Sequence, residues 1–221
     1  MDFDAIIFDF DGVLLESEYE GNRHLADLLT ELGHPTSVEE ALQNYVGLSG
    51  GDFIAAIESN IGRPLPESFH HQRREEDERV LLEGLPEIAG AVAFVRSLPP
   101  DLPVAVASSS TKQWVQTHLR HLGIDDVFRN RTFSGREDVE RGKPAPDLYL
   151  HAADQLGVDI QRAVVIEDSE VGAKGALKSG ARVIGLIAGA HCLPGHSERL
   201  EALGLREIAR DFNEVRALLD L

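Results

Sequence analysis

Side chains able to hold a metal ion or a phosphate group stand where short apolar runs of this 221-residue sequence end. Ala-Ile-Ile-Phe at 5–8 is followed by Asp9 and Asp11, Val-Ala-Val-Ala at 104–107 by Ser108, Ser109 and Ser110, and the run at 163–166 by Glu167 and Asp168. Lys143 lies between Gly142 and Pro144, in a loop that opens a helix. These types suit phosphoryl transfer. Carboxylates hold Mg²⁺, which takes oxygen ligands. An ammonium group supplies a point charge for phosphate oxygens, and hydroxyl and loop N–H groups donate hydrogen bonds to them. One carboxylate is left to attack, since aspartate can form an acyl phosphate. Residues two apart in an extended segment point to the same side. Asp9 and Asp11 can therefore serve one site, one as nucleophile and one as acid/base, with Gly12 letting the chain turn away beside them.

Taken singly, each feature has an ordinary reading. Asp-x-Asp is common in loops, Ser108 can cap a helix, and Glu167 and Asp168 can charge a helix N-terminus. Their joint placement asks for a fold that brings strand ends together. From Pro86 onward, apolar runs alternate with helical patterns, at 104–107, 132–133, 163–166 and 182–187, and a helical C-terminus is expected to finish the chain. Repeated strand–helix units predict a parallel sheet covered by helices on both faces. Ligands bind beyond the carboxyl ends of such strands. Residues 18–83 carry only helical signals. The expected architecture is thus a three-layer, Rossmann-like α/β core (1–17 and 84–221) with an inserted all-helical cap (18–83).

Composition narrows the partners. Lys and Arg number 21 against 38 Asp and Glu, a net charge of −17. Such a surface repels nucleic acid and anionic membranes, so neither is expected as a partner. An anionic substrate then requires a local reversal of the field by a bound cation and a few placed bases. Hydrophobic residues make up 43%, enough for a sizeable core, and no apolar run approaches the roughly 20 residues of a spanning helix. Cys192 has no partner for an internal disulfide, and the acidic start MDFDAIIFDFDG lacks the basic region of a signal peptide. A soluble cytoplasmic protein, monomeric or weakly dimeric, is expected. His191, Cys192 and His196 follow the last apolar run and read as a loop at the rim of the site. Trp114 reads as a core or interface residue.

The residues Asp9-Phe10-Asp11-Gly12-Val13, Ser108, Lys143-Pro144 with Pro146-Asp147, and Glu167-Asp168-Ser169 with Gly172 resemble the haloacid dehalogenase superfamily of phosphohydrolases. The subgroup is the one with a helical C1-type cap after the first strand, similar to the β-phosphoglucomutase and phosphatase group. The resemblance covers nearly the whole chain. It implies Asp9 as nucleophile and metal ligand, and Asp11 as acid/base that binds metal through its backbone carbonyl. It implies Ser108, Ser109 and Lys143 as the phosphate clamp, and Asp168 with Glu167 as further metal groups. The implied cofactor is Mg²⁺, and the implied cycle is formation and hydrolysis of a phosphoaspartate. Asp11 points to a phosphatase, because dehalogenases of this superfamily lack the second aspartate. β-Phosphoglucomutase has a histidine after the first motif and a cap arginine for a second phosphate; Gly21 (or Glu20) and Gly50 stand there in this chain. A small phosphorylated metabolite, sugar phosphate-like, is the expected substrate, with Glu20, Arg23, His24 and Gly47 as candidate cap contacts. A mutase, or a receiver-like switch that takes phosphate on an aspartate, is the alternative.

Overall fold

The computed structural model describes residues 2–46, 48 and 50–221. In chain order its helices are α1 (Ser17–Glu31), α2 (Val38–Tyr45), α3 (Gly50–Ile61), α4 (Glu67–Glu83), α5 (Ala91–Arg96), α6 (Lys112–His121), α7 (Asp125–Phe128), α8 (Asp147–Leu156), α9 (Glu170–Ser179), α10 (His196–Ala202) and α11 (Phe212–Leu218). Its strands are β1 (Ala5–Phe8), β2 (Val104–Ser108), β3 (Thr132–Ser134), β4 (Ala163–Glu167), β5 (Arg182–Leu186) and β6 (Glu207–Ala209). All strand pairs are parallel, in the order β3-β2-β1-β4-β5-β6.

The continuous apolar runs become the middle of the sheet because helices cover both of its faces. Every residue of β1, β2 and β4 is buried. Strand alternation divides them between two cores. Ile6 and Phe8 pack with Phe94, Phe128 and Phe212 on one face. Ile7, Ala105 and Val165 pack with Leu148, Tyr149, Ala173 and Leu200 on the other. Helices α1 to α4 enclose a third core of their own, with Leu25, Leu29, Tyr45, Ile57 and Phe69 at its centre. In this order the chain steps from β1 outward to β3, then returns to the other side of β1 as β4. That reversal opens a crevice where ligands of such sheets bind. The register places the ends of β1 and β4 side by side, with Phe8 opposite Ile166.

One expectation fails. The segment after β5 is not wholly helical: Glu207–Ala209 adds a sixth strand along β5, between α10 and α11. Three residues, two of them only partly buried, are too few to show an alternation in sequence. Tertiary pairing decides the conformation here.

Candidate active site

The ends of β1, β2 and β4, together with the loop before α8, converge on one cleft. Its volume is about 1190 Å³, and Asp9, Asp11, Ser109, Ser110, Lys143 and Asp168 line it beside residues of α1, α2 and α4. Asp9 is held at the strand end by its backbone N–H, which donates to Ile166 O at 2.9 Å. Its Oδ1 accepts from Lys143 Nζ at 2.6 Å. The same ammonium donates to Glu167 Oε1 at 2.6 Å. Groups separated by 134 and 24 residues in sequence are thus in direct contact.

Glu167 is fully buried and organises the floor. Oε1 also accepts from Tyr149 Oη at 2.8 Å. Oε2 accepts from the backbone N–H of Asp168 and of Ser169, and from Ser169 Oγ. Ser169 in turn caps α9 by accepting from Gly172 N. This crowding explains Gly172: a Cβ there would lie 1.6 Å from Glu167 Oε1. Gly12 is needed twice over. Its φ is +83°, and a Cβ would lie 2.1 Å from Asp168 Oδ2.

Asp9, Glu167 and Asp168 each offer an oxygen within 4.8 Å of the others. Asp168 Oδ1 is buried without a hydrogen-bond partner among the described residues, whereas Oδ2 faces His191 Nε2 at 2.8 Å. Burial, then Glu167, pushes the Asp9 carboxyl well above the usual carboxylate range against the pull of Lys143. Burial opposes the charge of Lys143, but Asp9 and Glu167 outweigh it and raise its pKa. Burial likewise opposes charge on His191, and its hydrogen bond to Asp168 turns the balance upward. Three buried carboxylates against one buried ammonium leave negative charge that His191 offsets only in part. An oxygen-only donor set, an orphaned carboxylate oxygen and surplus negative charge fit a hard divalent cation.

Asp11 sits apart from that cluster. Its Oδ1 accepts from Ser17 Oγ at 2.7 Å and Trp114 Nε1 at 3.0 Å. Oδ2 accepts from Ser110 Oγ at 2.7 Å and Ser108 Oγ at 3.2 Å. Ser108 is fully buried and also accepts from Ser110 N; of the three serines in this run, Ser109 and Ser110 line the cleft and Ser108 does not.

The cap candidates separate. Glu20 lines the cleft, whereas Arg23 and His24 do not. Arg23 turns along α1 to pair with Glu20 and Asp27, and His24 faces Arg73 at 3.3 Å. Gly47 lies outside the described residues. Among the described residues, nothing lies within 4 Å of a Cβ built at Gly21. Sequence reasoning did not single out Ser17, Arg73 or Tyr149, and it read Trp114 as a core or interface residue rather than a partner of Asp11. Ser110 belonged to a serine run already noted, and Trp114 follows it by four residues in the first turn of α6; Tyr149 and Arg73 carry no local signal. His191 does occupy the rim, but it reaches inward to Asp168.

A family model described as haloacid dehalogenase-like hydrolase matches residues 6–186. The chain belongs to that family. A phosphorylated carbohydrates phosphatase of Thermotoga maritima is 30% identical over 207 residues, covering 90% of this chain and 91% of that protein. The 6-phosphogluconate phosphatase of Escherichia coli is 28% identical over 192 residues, covering 86% of each chain. The crystal structure of a HAD family hydrolase from Deinococcus radiodurans, with bound phosphate and sodium, superposes with a TM-score of 0.88 at 31% identity. That match covers 99% of this chain and 95% of the other.

Proposed function

We propose that this chain is a Mg²⁺-dependent phosphoric monoester hydrolase that acts on a small sugar phosphate-like metabolite through a phosphoaspartate on Asp9. The observation that carries the reading is the contact of Lys143 Nζ with Asp9 Oδ1 at 2.6 Å beside Asp168. A nucleophile, a fixed cation and an orphaned carboxylate oxygen meet at one strand edge. Phosphatases of sugar phosphates among the relatives support the substrate class.

In this reading the free oxygen of Asp9 attacks phosphorus, and Lys143 neutralises charge on the transferring oxygens. Ser109 and Ser110 border the place those oxygens would take. Asp11 protonates the leaving oxygen and then takes a proton from the attacking water. Asp9, Asp168 and the Asp11 backbone carbonyl would hold Mg²⁺, with Glu167 beside them; the ion supplies charge stabilisation and orientation. Glu167 fixes Lys143 through its own four further bonds. Residues 18–83 act as a cap whose α1, α2 and α4 close the cleft over the substrate. Gly21 offers no side chain for acid/base work, which favours hydrolysis over a mutase reaction.

Asp9→Asn is expected to abolish Mg²⁺-dependent release of phosphate from p-nitrophenyl phosphate or a better ester, with circular dichroism unchanged. Chelation of the wild type is expected to remove activity without unfolding. Turnover by the folded variant at the wild-type rate removes Asp9 from the nucleophile role.

A further inference from the structure

The cradle of Asp11 holds one donor unlike the rest. Ser17, Ser108 and Ser110 present hydroxyls, which rotate and can donate elsewhere. An indole N–H is a donor only, and its direction is set by the ring. The Trp114 ring is braced. Its backbone N–H donates to Thr111 Oγ1 at the cap of α6, and its ring packs edge-to-face with that of His118, one turn on, with ring centres 4.3 Å apart at 68°. His118 is fully buried, and neither ring nitrogen has a hydrogen-bond partner among the described residues. Burial lowers its pKa to about 4, so it stands there as a neutral ring. His121, farther along α6, reaches Leu81 O of α4 at 3.0 Å, which ties this helix to the helical block.

An acid/base works only with its carboxyl within hydrogen-bond reach of the substrate. Both oxygens of Asp11 are engaged, so one must exchange its partners for the substrate. We infer that Trp114 is a positioning residue: its indole N–H, braced on His118, anchors Oδ1 of Asp11 and leaves Oδ2, held by the rotatable hydroxyls of Ser108 and Ser110, as the oxygen that exchanges protons with the substrate. The role of Asp11 rests on the hydrolase reading; the anchoring contact does not.

Trp114→Phe keeps a ring on His118 and removes the N–H. It is expected to lower kcat about tenfold with KM changed by less than about twofold, the pattern of an interaction that matters in the transition state. Trp114 is the only tryptophan of the chain, so its emission reads the contact without turnover. A negative charge at the pyrrole nitrogen stabilises the excited indole, so Asp11→Asn is expected to blue-shift the emission. A folded Trp114→Phe enzyme with wild-type kcat, or identical emission from Asp11→Asn and wild type, overturns the inference. Should Trp114→Phe not fold, the emission comparison decides. Should the wild type release no phosphate from any ester, the hydrolase reading falls while the emission arm still judges the contact.

Discussion

At the scale of single residues, the site depends on what is missing from Gly172 as much as on any side chain. An added methyl group would overlap Glu167, 1.6 Å from Oε1 and 2.1 Å from Cδ. Glu167 would have to leave Lys143 and Tyr149, so that the buried ammonium group keeps Asp9 but loses one of its two carboxylate partners. Breaking a buried pair costs about 3–5 kcal/mol. Gly172→Ala is therefore expected to lose stability of that order in urea unfolding and to hydrolyse phosphate esters at least about 100-fold more slowly, since positioning is lost with it. A variant as stable and active as wild type would show that Glu167 does not organise this floor. Gly172 was legible because it belongs to a motif. Tyr149 was not, because its partner lies on β4 and nothing around position 149 distinguishes a helix tyrosine facing a carboxylate from one filling a core. Trp114 misled for a related reason: it is a packed aromatic, as expected, and its polar edge finds Asp11 103 residues away.

At the scale of elements, the central strands were legible because burial on both faces writes itself as unbroken apolar runs. The edge strand β6 was not, since it carries only Glu-Ile-Ala. Helix starts are fixed where side chains cap them. Ser37 and Glu40 form a complete capping box on α2, each side chain bonded to the other's backbone N–H. That box lies in the helical block, and neither of its residues lines the cleft. Ser37→Ala is expected to cost about 1 kcal/mol of stability and to leave kcat unchanged. Equal loss of activity and stability would mean that α2 sets the geometry of the cleft directly. The block was expected at 18–83 because strand signals stop after β1 and resume only at β2. What its inner face presents was not legible: Arg73 lines the cleft, and Arg23, one helix away, does not.

At the scale of the whole molecule, the net charge of −17 must be reconciled with an anionic substrate. The cleft does so locally, with Lys143, Arg73, Arg136, Lys174 and Arg199 on its walls. It also carries acids that need a counter-charge. Glu18, on α1, is pushed up to about 7 by burial and then by Asp11 and Asp168. Its folded pKa lies above the unfolded value of 4.5. The folded state therefore binds more protons between those values, and the stability contributed by protonated Glu18 falls as pH rises through that window. A divalent cation bound at Asp9 and Asp168 would supply positive charge nearby and release that proton. Ligand binding to the folded state alone raises the melting temperature by mass action. The rise caused by Mg²⁺ is thus expected to be small at pH 5 and to grow by pH 8, at matched ionic strength. Glu18→Gln should flatten part of that growth, because an amide has no proton to release. Scanning calorimetry with and without Mg²⁺ reads both. An increment that is the same at the two pH values would mean that cation binding is not linked to these protons, and that the surplus charge of the cleft is balanced by its own lysine and arginines.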